Sequence, residues 1–290
     1  MSIAVRPHPS LSSWGRRTIA SHPVIAFLMM VYAVNIAVAL SPALTRRDLL
    51  PFDQAPYDWI GHTLGVALPA FIVVAALRGR DGVRDLARRC LRWQVGLRWY
   101  VVALLGMPIA TMLLAFLFYG MAPLQLLADK WSLLFTLVLP HLALVIIFSN
   151  LAEEIGWTGF LFDRMQERYS PLKASFVVAI PFALFHVPGY VVEATSFGEV
   201  LLFAAVLFIP QFASRVIVAW LYNNTARSLL IVGLFHCSFN VTSSDIAGEF
   251  TPAPAGDIFV LTSGFVILAA IVIAAVTKGR LSYGTPRESE

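Results

Sequence analysis

Eight apolar runs divide the chain, at roughly 23–44, 57–77, 98–120, 131–150, 173–192, 198–222, 226–244 and 257–277. Each is about 20 residues long, the length that a bilayer's hydrocarbon core requires. In lipid every backbone N–H and C=O must be satisfied inside the protein, so a spanning chain has two solutions, helices or a closed barrel. Long continuous apolar runs select helices, because barrel strands alternate in hydrophobicity over about 10 residues. The expected fold is therefore all-α: a polytopic transmembrane helical bundle of about eight spans, forming one membrane-embedded domain over residues 1–290. Composition agrees. Hydrophobic residues make up 58% of the chain and charged residues 13%, against about 25% charged in soluble domains. The fourth run is expected to continue as helix to about Arg168, because only Gly156 and Gly159 interrupt it before Pro171.

The formal net charge of +4 reads as membrane topology rather than nucleic-acid binding. Basic residues gather in alternate loops, as the positive-inside rule requires of cytoplasmic segments. They are Arg6, Arg16 and Arg17 in the N-terminal tail, and Arg78, Arg80, Arg84, Arg88, Arg89 and Arg92 between the second and third spans. Arg164, Arg168 and Lys173 follow the fourth span, and Lys278, Arg280 and Arg287 the last. The opposite loops hold Lys130, Glu193, Glu199, Asp245, Glu249 and Asp257, with Arg46 and Arg47 as the exception. Both termini are thus expected in the cytoplasm. Residues 1–22 read as a polar tail and not as a cleavable signal peptide. Arg heavily outnumbers Lys, which suggests a GC-rich genome. The expected location is a bacterial plasma membrane. The basic stretch 78–98 is amphipathic and reads as an interfacial helix on anionic lipid, with substrate docking as the alternative.

Against this apolar background a few polar groups stand out. Glu153 and Glu154 are adjacent, and each acid at bilayer depth costs about 2.5–3.5 kcal/mol unless it faces a polar cavity. His186 lies in the fifth run; His236 and Asn240 lie in the seventh, one helical turn apart on one face. Counted from their basic ends, Glu153, His186 and His236 sit at about 15–20 Å, close enough to share a cavity opening to the cytoplasm. The chemistry suits peptide hydrolysis: a buried carboxylate as base for water, with imidazole and amide N–H groups for the oxyanion. His186, His236 and Glu153 could instead hold Zn²⁺ with an open position for water, although the contiguous HExxH pattern is absent.

The ordered motifs EEIGWTGF from Glu153, FALFH ending at His186 and HCSFN from His236 to Asn240 resemble the CPBP family. That family contains type II CAAX-prenyl endopeptidases and bacteriocin-processing (Abi) proteins. The resemblance covers about 95–245, a family-like catalytic core; the earlier spans match only in hydropathy. It implies that Glu153 is the base, that His186 helps it activate water, and that His236 and Asn240 form the oxyanion site. The implied partner is a membrane-associated protein or peptide substrate within the lipid bilayer. In the family the second glutamate usually pairs with an Arg four residues on; here that position is Thr158. Glu154 would then be a neutral hydrogen-bond donor, or would pair with Arg215 from the sixth span, unless Arg215 snorkels to the surface.

Structural readings compete. Buried acids, histidines and Asn240 also serve as interhelical glue. His62 and His141 match no motif and read as structural, as do Trp157 and Phe160. Cys237 points about 100° away from His236 on a helix, and a Cys90–Cys237 disulfide is not expected. A proton-coupled transporter would use the same acids and histidines as a relay, but no inverted repeat or pair of broken helices accompanies them. A non-catalytic scaffold or immunity protein of the same fold is the other alternative, kept open by Thr158.

Overall fold

The computed structural model describes residues 13–41, 45, 61 and 63–282. Arg6, Arg46, Arg47, His62, Arg287 and the side chain of Glu193 fall outside the described residues. Among the described residues the fold is all-α, with 86% of them in helix and no strand. In chain order the helices are α1 (Ser13–Ser21), α2 (Pro23–Ala39), α3 (Thr63–Cys90), α4 (Leu97–Tyr119) and α5 (Ala122–Asp129). They continue as α6 (Leu134–Gln166), α7 (Pro171–Glu193), α8 (Phe197–Asn224), α9 (Leu229–Phe250) and α10 (Ala255–Val276). Among the described residues each of the eight apolar runs overlaps a helix. Among the described residues six helices are long and apolar enough to cross a membrane, or up to seven if α1 and α2, bent by 106°, form one span. The chain is an integral membrane protein.

Local chemistry explains the boundaries. Ser196 and Ser228 cap α8 and α9, accepting from the N–H groups of Glu199 and Ile231, which satisfies donors that have no partner in the first turn. Between Arg78 and Arg80 the chain turns out of the helical path at Gly79, with φ +60° and ψ −151°, a conformation only glycine takes without cost. The basic stretch beyond that kink is docked on the protein by its buried face, Leu86, Arg89 and Cys90.

The fourth span is not a uniform α-helix. Within α6, π-helical turns at Leu134–Val138, Ile146–Asn150 and Trp157–Phe162 alternate with α segments, and a further π turn, Thr242–Ile246, lies within α9. Such turns insert a residue and re-aim side chains, and they gather at functional sites. The short α segment between two of them, Leu151–Gly156, carries both glutamates.

Close packing holds this segment at the centre. A Cβ on Gly156 would lie 2.5 Å from Val66 Cγ1 and 2.9 Å from the Val66 carbonyl; one on Gly159 would lie 2.8 Å from Leu86 and 2.9 Å from Leu229. Small residues at these positions let α3 and α9 approach α6, the usual basis of packing where lipid removes the hydrophobic drive. Fully buried Trp157 meets Phe27, Phe182 and Phe185 edge-on, each at 5.7 Å. Polar ties join further helices: Tyr32 donates to the Pro181 carbonyl at 2.7 Å and Ser238 to that of Leu104 at 2.8 Å.

Candidate active site

Glu154 is fully buried and saturated with partners. Arg215, itself 3% exposed, grips it bidentately, Nη2 to Oε1 at 2.6 Å and Nη1 to Oε2 at 3.0 Å. Thr158 donates to Oε2 from one turn on, and His236 Nδ1 lies 2.8 Å from Oε1. The carboxylate can only accept, so this bond fixes the proton on Nδ1 and leaves Nε2 of His236 for the cavity. Arg215 does not snorkel, and Glu154 is not an unpaired neutral acid. The cation that the family pattern places on the same helix comes here from α8, and Thr158 adds a hydrogen bond instead of a charge. The Arg215 guanidinium also stacks on the Phe182 ring, 4.0 Å from its centroid.

Beside this group is a cavity of about 480 Å³. Glu153, His186, His236 and Asn240 all line it; Glu154 stands behind the wall. Glu153 is buried and accepts from Ser149 at 3.3 Å, one turn back on α6. His186 Nδ1 donates to the Phe182 carbonyl at 2.9 Å, which leaves Nε2 to accept from a water or substrate. Asn240 Nδ2 donates to Asn150 Oδ1 at 3.3 Å. Phe182 holds the two imidazoles apart, its ring 5.0 Å from His186 and 5.9 Å from His236.

One expectation changes. Among the described residues no three His, Cys, Asp or Glu side chains form a group that could hold a metal. His186, His236 and Glu153 are therefore not a group that could hold Zn²⁺; the Phe182 carbonyl holds the ring of His186 and Glu154 that of His236. Burial varies along the helices that line the cavity. On four helices the buried lining residue lies nearer the basic end than its more exposed partner: Glu153 against His141, Phe182 against His186, Val218 against Gln211, and Phe235 against Ser244. Among these lining residues burial thus falls toward the end remote from Arg84, Arg164 and Arg168.

Several site residues escaped sequence reasoning. Ser149 and Asn150 carried a signal, lying one turn from Glu153 and adjacent to it in the motif run; Gln211, Ser214 and His141 match no pattern. Cys237, a buried free thiol, donates to the Leu142 carbonyl, away from the glutamates.

Residues 135–242 match the family model for type II CAAX prenyl endopeptidases, Rce1-like. A curated protein of Methanococcus maripaludis, CAAX prenyl protease 2, is 28% identical over 112 residues, 37% of this chain. The match spans 41% of that relative's length. The matched segment contains α6, α7, α8 and α9 up to Asn240, hence both glutamates, both histidines and Arg215. Over residues 135–242 the chain is thus similar to the Rce1-like type II CAAX prenyl endopeptidases, which agrees with the CPBP resemblance of its three motifs.

Proposed function

We propose that the chain is an intramembrane endopeptidase that hydrolyses a peptide bond with a water activated by Glu153. The observation that carries this reading is the single cavity lined by Glu153, His186, His236 and Asn240. A carboxylate beside a cavity in an otherwise apolar bundle is a functional group by default. Glu153 takes a proton from the water as it attacks the scissile carbonyl, and His186, through Nε2, orients that water. The oxyanion is met by the second Asn240 N–H and, in its doubly protonated form, by His236 Nε2–H. Glu154 does not touch the reacting atoms: with Arg215 it fixes the ring of His236. Glu153 returns its proton to the leaving amine.

The substrate class is a membrane-associated protein or peptide. The host membrane is a bacterial plasma membrane with both termini cytoplasmic, and the less buried end of the cavity lining then faces the opposite side. Thiol labelling checks this arrangement: a cysteine at Ser244 reacts with an impermeant reagent from outside, and one at Arg84 only after permeabilisation. The reverse pattern reverses the topology. The activity itself is tested by comparing cleavage fragments of membrane proteins from cells carrying the wild type or Glu153→Ala. Fragments that appear only with the wild type support the reading; identical profiles favour a non-catalytic scaffold.

A further inference from the structure

His141 and Asp245 form a second dyad on the same cavity, at the end remote from Arg215. His141 lines the cavity, and its Nδ1 is 2.7 Å from Asp245 Oδ2. The two side chains are 39% and 11% exposed. Ser244 donates to the other oxygen of Asp245 at 2.9 Å. The carboxylate holds the proton on Nδ1, so Nε2 is the acceptor that the ring offers to a ligand.

The wall between the two ends is polar along one face of α9. His236, Asn240, Ser243 and Ser244 all line the cavity, at the i, i+4, i+7 and i+8 spacing of a single helix face. At 1.5 Å per residue this stripe is about 12 Å long, the length of about four residues of extended peptide at 3.3 Å each. A bundle core lined for lipid or for a rigid apolar ligand has no use for such a stripe. An extended main chain does, because each of its residues brings an N–H and a C=O that must be satisfied away from water.

We infer that His141, oriented by Asp245, is a substrate-binding residue: Nε2 accepts a main-chain N–H from an extended peptide about four residues from the bond placed at Glu153. This rests on the peptidase reading for the location of the scissile bond, but the binding event is separable from the chemistry.

The test measures binding to the full-length Glu153→Gln protein in detergent micelles. The probe is a fluorophore-tagged peptide of ten alternating leucine and alanine residues. Replacing His141 by Phe removes the acceptor and keeps the ring volume; it weakens binding about 3–10-fold, the effect of one hydrogen bond. His141→Gln, which keeps an acceptor, recovers most of the loss. Asp245→Asn, which no longer dictates the tautomer, shows a smaller loss in the same direction and serves if His141→Phe does not fold. With Glu153 restored and the peptide cleaved, the loss falls on KM. The inference is overturned if His141→Phe binds like its parent, if Gln fails to rescue, or if the parent binds no peptide. A protein that binds through His141 yet never cleaves sinks the peptidase reading and leaves this inference standing.

Discussion

Two buried clusters in this bundle are built from the same materials and do different work. At the basic end, Asp163 is gripped by Arg89 at 2.5 Å and Arg227 at 2.6 Å, and Tyr222 donates to it at 3.1 Å. Arg89 also pairs with Asp85 at 3.1 Å and donates to Tyr222 at 2.6 Å. This knot ties α3, α6, α8 and the start of α9, and its groups turn inward on one another. Nearer the middle, Glu154 and Arg215 form a more deeply buried pair, 0% and 3% exposed, and a further partner of that pair is His236, whose ring reaches a cavity wall. The neighbouring acid, Glu153, lines that cavity. A buried ion pair is thus not by itself a site. The difference lies in whether the charge network ends on itself or holds a side chain against open space.

The largest effects expected from breaking this parallel are on stability. Removing one partner of a buried pair leaves an uncompensated charge, at about 3–5 kcal/mol. Arg215→Met should therefore lower the thermal unfolding midpoint most, and Asp163→Asn less, because Arg89 keeps Asp85 and Arg227 is half exposed. They should part company in function: per folded molecule, Asp163→Asn keeps hydrolysis, whereas Arg215→Met loses it because His236 is no longer held. The double variant Arg215→Met with Glu154→Leu should regain much of the stability and none of the activity. Equal activity in the two single variants would erase the distinction between knot and site.

Packing comes next. Gly156→Ala drives a methyl group toward Val66 Cγ1 and the Val66 carbonyl, an overpacking cost of about 1–3 kcal/mol, read as a lower unfolding midpoint. An unchanged midpoint would mean that the π turns of α6 relax freely. The smallest effect concerns the site's support. Asn150→Ala frees Asn240, whose amide it anchors at 3.3 Å. The loss of one hydrogen bond, about 0.5–1.5 kcal/mol, should appear in kcat with little change in stability. An effect on stability alone would move Asn240 from the oxyanion site to structural glue.

Much of this was legible in the sequence. The helices followed from apolar length, since lipid leaves so few backbone solutions. Glu153, His186, His236 and Asn240 followed from motif spacing. Other features were hidden for physical reasons. The π turns depend on how α6 packs against α3 and α9, and local propensity does not record that. Short α1 and α5 lie where charge patterning reads only tail and loop. Arg215 offered two outcomes, snorkelling or pairing, and only the fold decides which is nearer. His141 looked structural because its partner, Asp245, is 104 residues away.

The two adjacent glutamates divide the labour of the site, Glu153 facing the cavity and Glu154 holding His236. Glu153→Gln and Glu154→Gln should be compared by thermal unfolding and by turnover of one cleaved membrane substrate. An amide cannot take a proton from water, so Glu153→Gln should lose about 100–10,000-fold in kcat with unfolding close to that of the wild type. Glu154→Gln should be the unstable one, because it strands Arg215 at about 3–5 kcal/mol. If Glu153→Gln retains turnover, or if Glu154→Gln is as stable as the wild type, the two roles are wrongly assigned.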